Sequence, residues 1–256
     1  MPSPRLSVVV PAFNAGAFLR PAVLSVLESG IEGLEVVVAD DGSTDGSVES
    51  LDGLDARVVR QANAGEASAR NAGVRASRGG FVTFLDGDDL LIPSGLAARL
   101  EYLENHPKIL DVGGLPSALI DERGAVIAPV FDRMAEKLVF PLSLTLERYR
   151  ADDFFPVSAS LYLYRREAFE RAGPYDESLA AAPDADFHFR VLALGAIPVL
   201  KVPTFDRRLH GANLSLAAAN SGAPSFRPEI LSAIREVNRR HGLAPASIAP
   251  WEAEFL

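Results

Sequence analysis

Phe81-Val82-Thr83-Phe84-Leu85-Asp86-Gly87-Asp88-Asp89 decides how the rest of the chain is read, because an apolar run stops abruptly at a cluster of carboxylates. β-Branched and aromatic residues in so short a run predict a buried strand over Phe81–Leu85. Acids packed this closely repel one another unless a cation or a hydroxyl donor shares the site. Hard oxygen donors of this kind suit Mg²⁺ or Mn²⁺, which take one or two carboxylates and leave room for phosphate oxygens. Asp-Gly-Asp-Asp is also good turn chemistry. The motif alone therefore leaves a plain turn or helix cap open.

Upstream segments narrow the choice. Leu6–Val10 is a Val-rich strand followed by the loop Pro11-Ala-Phe-Asn-Ala-Gly16. Apolar residues at helical spacing occupy Phe18–Leu27, and Glu35–Ala39 is a second short buried strand ending in Asp40-Asp41-Gly42-Ser43. Ser43-Thr44-Asp45 reads as a helix start, with a weak helix over Ser47–Leu54. Arg57–Arg60 is a third strand and Ala67–Ala76 another helix. The order is βαβαβαβ, with strands too apolar to leave one face in water. That pattern predicts a parallel sheet covered by helices on both sides. Ligands of such open sheets bind beyond the carboxyl ends of the strands. Pro11–Asn14, Asp40–Ser43 and Asp86–Asp89 all leave such ends, so topology brings them to one cleft, which a set of chance turns explains poorly.

The second half is less regular. Helices are expected over Ser94–Glu104, Arg166–Ala172, Ala185–Leu194 and Ile230–Arg240, and strands over Ser160–Tyr164 and Ile197–Val202. Gly113–Val130 reads as short strands and turns, Arg133–Tyr149 fits helix or loop, and Ala217–Pro224 is a small-residue stretch. No linker divides the halves, so a single α/β domain is expected. The 256 residues are 48% hydrophobic, enough for a sizeable core. The net charge of −9 argues against a nucleic-acid partner. There is no cysteine, which excludes disulfides, thiolate metal sites and cysteine nucleophiles. The amino terminus lacks signal-peptide architecture, and no apolar run approaches the roughly 18 to 20 residues that span a bilayer. A soluble cytoplasmic protein is expected, with peripheral membrane contact left open.

In order and spacing these segments resemble glycosyltransferase family 2, inverting enzymes with the GT-A fold. The resemblance is carried by Ser7-Val-Val-Val-Pro-Ala-Phe-Asn14, Val37-Val-Ala-Asp-Asp-Gly-Ser-Thr-Asp45, Asn63-Ala-Gly65, Ala69-Arg-Asn-Ala-Gly73 and Phe84-Leu-Asp-Gly-Asp-Asp89. It continues through Arg165–Gly173, Asp184-Ala-Asp-Phe-His-Phe-Arg190 and Arg208-Leu-His-Gly-Ala-Asn-Leu-Ser215. Each motif alone is weak; the ordered set is specific. It implies a Rossmann-like GT-A domain over residues 1–215, with residues 216–256 a helical extension packed on it. It also implies a nucleotide diphosphate-sugar donor, most simply a UDP-sugar, and a glycan or lipid-linked acceptor.

The resemblance assigns roles residue by residue. Pro11, Phe13 and Asn14 match the loop that frames the base, and Asp40 matches the acid accepting from it; a carboxylate suits the imide N–H of uracil or thymine. Asp41 fits the same site or a cap on the following turn. Arg70 fits a diphosphate contact or an exposed helical arginine. Asp86 and Asp88 match the Asp-X-Asp motif, with Asp86 near the ribose and Asp88 binding Mn²⁺ or Mg²⁺, while Asp89 orients its neighbours. His210 matches a histidine that completes the metal site, and nearby Arg208 fits a phosphate contact. Asp184 inherits the role of catalytic base; capping the helix from Ala185 is its structural alternative, and Asp186 is second in line for the base. His188 is expected to pack.

Two positions depart from the family pattern: Pro183 replaces a commonly acidic residue, and Phe155–Ser160 lacks a glycine before the base. They favour an alternative, a catalytically degenerate nucleotide-sugar-binding protein. A sugar-phosphate nucleotidyltransferase fits less well, because Pro11–Gly16 holds one glycine and no arginine. The chain also lacks a P-loop and a dinucleotide fingerprint.

Overall fold

Leu6–Ala12 (β1) is buried along nearly its whole length, which requires cover on both faces of the strand. The computed structural model describes residues 3–145, 158–179, 181–211, 213, 216–217, 225–226, 236 and 239–242. In it β1 pairs in parallel with Leu34–Asp40 (β2) and with Phe81–Phe84 (β4), and β2 pairs in parallel with Ala56–Arg60 (β3). Leu19–Leu27 (α1) and Glu66–Ala76 (α2) are the intervening helices. α1 buries Leu19, Ala22, Val23 and Val26. α2 lies so close to β1 that a Cβ on Gly73 would come within 2.2 Å of Val9 Cγ1.

The sheet continues past β4 with Tyr162–Arg165 (β10), Asp111–Leu115 (β6), Ile197–Pro203 (β11) and Leu142–Leu144 (β9), giving the order β3-β2-β1-β4-β10-β6-β11-β9. β10 runs antiparallel to both neighbours, β11 parallel to β6, and β9 antiparallel to β11. A second sheet, β5-β12-β7-β8, is built from Leu90–Leu91, Phe205–Arg208, Ala118–Ile120 and Val126–Pro129. Pro93–Asn105 (α3), Phe131–Lys137 (α4), Arg166–Ala172 (α5) and Pro183–Leu192 (α6) complete the helices. α3 approaches the strand edge so closely that a Cβ on Gly95 would overlap the Pro203 carbonyl oxygen. No helix among the described residues is long and apolar enough to cross a membrane.

The first half follows the sequence reading closely, with one correction. In place of a helix over Ser47–Leu54 there is a single 3₁₀ turn, Glu49–Leu51. Asp45 explains the loss: its Oδ1 accepts from Ser47 N at 3.0 Å and Ser47 Oγ at 2.6 Å, local bonds that compete with helix propagation. The ambiguous stretch after Arg133 resolves into α4 and β9, while residues 146–149 lie outside the described residues. So do residues 155–157 of the glycine-lacking loop, residues 218–224 and most of the expected helix 230–240. Within the expected helical extension, Leu216–Ala217 (β13) pairs antiparallel with Ser225–Phe226 (β14), and Glu236, Arg239 and Arg240 are helical.

Candidate functional site

The three strand ends meet as topology requires, and side chains stitch their loops together. Asn14, in the left-handed region at φ 49°, donates its N–H to Ser43 Oγ at 3.0 Å and accepts from Thr44 N through Oδ1 at 2.9 Å. Asp45 Oδ2 accepts from Gly16 N at 2.7 Å. Gly87 lets the acidic turn sit against β1, since a Cβ there would lie 3.1 Å from the Pro11 carbonyl oxygen. Phe13 stands 52% exposed at the rim.

Asp40 and Asp41 are both buried but differ in occupancy. Asp40 Oδ1 accepts from Ser43 N at 2.9 Å, while Oδ2 lies 3.6 Å from Arg60 Nε. Asp41 commits both oxygens to the next loop. Oδ1 accepts from Gln61 Nε2 at 2.7 Å and Ala64 N at 2.9 Å, and Oδ2 accepts from Gly65 N at 2.8 Å. Asp41 thus caps no turn after itself; it shapes the loop that leads into α2.

Arg70 is not an exposed helical arginine, which corrects one of its two readings. It is 1% exposed, with its guanidinium carbon 5.9 Å from the Phe84 ring centre and 5.6 Å from that of Tyr175. Nη2 is shared between Glu66 Oε1 at 2.6 Å and Asp86 Oδ1 at 3.1 Å. Nε and Nη1 have no hydrogen-bond partner among the described residues. Burial alone would ease its deprotonation, but the carboxylates of Glu66, Asp86 and Asp184 reverse that and raise its pKa. Glu66 and Tyr175 were missed from sequence. The Glu66–Arg70 spacing of four along a helix was the available signal; Tyr175 comes from a distant segment and gave none.

Asp88 meets His210. The imidazole Nε2 lies 2.9 Å from Asp88 Oδ2, and Asn213 Nδ2 sits 3.2 Å from the same ring nitrogen. The His210 ring packs on Phe18 with centres 4.7 Å apart. Among the described residues no group of three or more His, Asp or Glu side chains has metal-binding geometry. The Asp88–His210 pair nevertheless fits a divalent ion: cis ligands of an octahedral ion with bonds near 2.1 Å lie about 3 Å apart. Asp89 is buried, and burial together with Asp88 and Asp86 pushes its pKa well above the carboxylate range. Its Oδ1 accepts from Arg208 N at 2.9 Å. The reading of Arg208 as a phosphate contact is not supported. Its guanidinium is buried, donating to the carbonyls of Asp88 at 2.9 Å, Asp121 at 2.8 Å and Glu122 at 3.1 Å. It locks the acidic turn to β12 and the β7–β8 hairpin.

Asp184 lies in the first turn of α6, not at its cap. Pro183 begins the helix and Ala182 is the cap residue, left-handed at φ 55° with no side-chain capping bond. Proline is favoured at a first helical position, so the departure at Pro183 acts as a helix start. Asp184 is half-buried and its Oδ1 accepts from Ala185 N at 3.0 Å. Desolvation raises its pKa against the pull of Arg70, and Asp86 adds to the rise. Asp186 is held elsewhere, its Oδ2 accepting from Arg190 Nε at 2.9 Å and its Oδ1 lying 3.0 Å from His241 Nε2. His188 is fully buried against Tyr162, ring centres 4.4 Å apart, and burial pushes its pKa down to about 3; packing is its role.

Residues 7–173 match glycosyl transferase family 2. The chain is 32% identical over 194 residues to the uncharacterized glycosyltransferase EpsJ of Bacillus subtilis (strain 168), covering 72% of this chain and 55% of that protein. It is 28% identical to a chondroitin synthase of Escherichia coli, over 83% of this chain and 30% of that one. It therefore spans about half the length of the first relative and under a third of the second. The fold is similar to that of Staphylococcus aureus TarS 1–349 in complex with UDP-GlcNAc, with a TM-score of 0.64 at 22% identity, covering 92% of this chain and 66% of that one. A cleft framed by the strand-end acids, an Asp–His pair and a half-buried helical aspartate thus sits on an α/β sheet flanked by helices, and the chain belongs to glycosyl transferase family 2.

Proposed function

We propose that this chain transfers a sugar from a nucleotide diphosphate-sugar, with UDP as the nucleotide, to an acceptor hydroxyl with inversion at the anomeric carbon. The observation that carries the reading is Asp184, a half-buried carboxylate in the first turn of α6 with Arg70 and Asp86 as its charged neighbours. In this reading Phe13 and Pro11 frame the base, and the half-free carboxylate of Asp40 accepts from its imide. Asp41 and Asn14 act through the loops that they hold. Asp86, steered by Arg70, faces the ribose, and the buried guanidinium of Arg70 lends positive charge to the diphosphate from behind it. Asp88 and His210 would hold Mn²⁺ or Mg²⁺, which would supply positive charge for the leaving diphosphate. Asp184 takes the acceptor proton as the hydroxyl oxygen bonds to the anomeric carbon and the bond to the phosphate oxygen breaks.

Family membership and the TarS complex with UDP-GlcNAc support the donor class. The degenerate-protein alternative gains nothing from the fold, since Pro183 starts the helix that presents Asp184. Membership of glycan or glycoconjugate synthesis and a cytoplasmic location belong to the same proposal. Calorimetry with UDP tests it: affinity in Mn²⁺ should exceed that in EDTA, and Asp88→Ala should remove the difference while circular dichroism stays unchanged. Equal affinity in both buffers for the unmodified protein sinks the metal assignment. A donor-hydrolysis assay then separates an enzyme, which releases UDP, from a protein that only binds.

A further inference from the structure

Two acids stand two residues apart on α6 and face different parts of the molecule. On a helix of 3.6 residues per turn that spacing turns them about 200° from each other. Asp184 is coupled to the cleft through Arg70 and Asp86. Asp186 is only 7% exposed, and its partners are Arg190 on its own helix and His241 from the carboxyl-terminal segment. The amino end of α6 needs such an outside hold, because its cap residue contributes no side-chain bond.

We infer that His241 is a positioning residue for the helix that carries Asp184, acting through Asp186; the inference rests on Asp184 being the base. The hold has three parts. His241 Nε2 lies 3.0 Å from Asp186 Oδ1, and its ring packs on Phe189 with centres 5.4 Å apart. Arg190 clasps the other oxygen of Asp186 and donates through Nη1 to the Ala172 carbonyl at 2.5 Å, tying α6 to the end of α5. Next to His241, Arg240 Nη1 reaches Asp176 Oδ2 at 3.5 Å. Asp176 follows Tyr175, whose ring backs Arg70. Arg240 and His241 therefore touch both the segment that follows Tyr175 and the helix that carries Asp184. Among the described residues, Arg190, His241 and Asp176 lie around Asp186. Two of the three favour its ionised form, so it serves as an anchor and is poorly placed to take a proton from a substrate.

Geometry of this kind acts on turnover, because a base displaced by about 1 Å can cost up to about 10²-fold in rate. In the full chain, His241→Ala should lower kcat by about tenfold, with KM for UDP-GlcNAc or another accepted donor and Kd for UDP within about twofold. His241→Gln keeps an N–H donor and should recover most of the loss. Combining His241→Ala with Asp186→Ala should cost no more than the worse single change, the mark of two residues acting as one unit. An unchanged kcat in His241→Ala beside an inactive Asp184→Asn overturns this inference and leaves the base assignment standing. Multiplying losses in the double variant, or a matched loss of UDP affinity, also overturns it. Full turnover in Asp184→Asn overturns both.

Discussion

The two sides of the cleft are built by different means. On the side proposed for the nucleotide, most candidate residues follow directly from the end of a parallel strand: Phe13 and Asn14 after β1, Asp40 at the end of β2, Asp86 and Asp88 after β4. Strand register places them before any side chain is chosen, with Ala12 opposite Asp40 across β1 and β2. For Asp184 and His210 nothing comparable holds. Asp184 enters on a helix start, and His210 reaches Asp88 from 122 positions away, by way of a turn after β12. Backbone topology makes the first side, and long-range packing makes the second. Changes at Asp184 should therefore strike turnover, and changes at the strand ends should strike binding and loop stability.

The largest effect should come from Asp184→Asn. The amide keeps the size of the side chain and an oxygen to accept from Ala185 N, but it no longer takes a proton. General-base contributions run to about 10² to 10⁴-fold, so turnover should fall by that much with UDP affinity kept. Asp186→Asn, which weakens an anchor, should lose far less. An active Asp184→Asn beside an inactive Asp186→Asn would break the comparison, because the base would then be the acid that the structure ties to Arg190 and His241.

On the other side, neighbouring acids should separate stability from binding. Asp41→Ala removes the acceptor for the N–H groups of Ala64 and Gly65, both of which make part-buried bonds to its carboxyl oxygens. The expected loss is about 1.5 to 3 kcal/mol of folding stability, read by urea unfolding. Asp40→Ala removes one loop bond and the acceptor for the base. It should weaken UDP by roughly 1.5 to 3 kcal/mol while leaving inorganic diphosphate nearly untouched. A matched loss for both ligands would make Asp40 a loop brace like its neighbour.

This asymmetry also explains what was legible in the sequence. β1, β2 and β4 are apolar runs with acids at their ends, so the parallel core and the convergence of Asp40, Asp86 and Asp88 could be read directly. The antiparallel insertion of β10 between β4 and β6 could not, because Ser160–Tyr164 shows a strand but not its partners. Asp184 and His210 were singled out only through resemblance to a family; spacing alone left each with a structural alternative. Burial of Arg70 was invisible, since helical periodicity places it but the cover comes from Tyr175, more than a hundred residues on. Arg208 failed for the same reason: its guanidinium is taken by the carbonyls of three residues that lie far upstream.

The smallest effect tests the backbone that leads into the base. Ala182 holds φ 55°, ψ 37°, a left-handed conformation that costs an L-residue about 1 to 2 kcal/mol. Glycine removes that strain but adds about 0.5 to 1 kcal/mol of unfolded-state entropy, and the partly buried methyl of Ala182 is lost as well. These terms nearly cancel, so Ala182→Gly should shift stability by less than about 1 kcal/mol, in the neutral to stabilising direction. Three residues on, Ala185 is buried in regular helix, where glycine relieves no strain. There the same substitution should cost about 1 kcal/mol in helix propensity and more for the lost packing. Urea unfolding of the two variants gives the contrast directly. If Ala182→Gly is as damaging as Ala185→Gly, the left-handed turn before Asp184 carries no strain, and the amino end of α6 is held by packing of the Ala182 methyl instead.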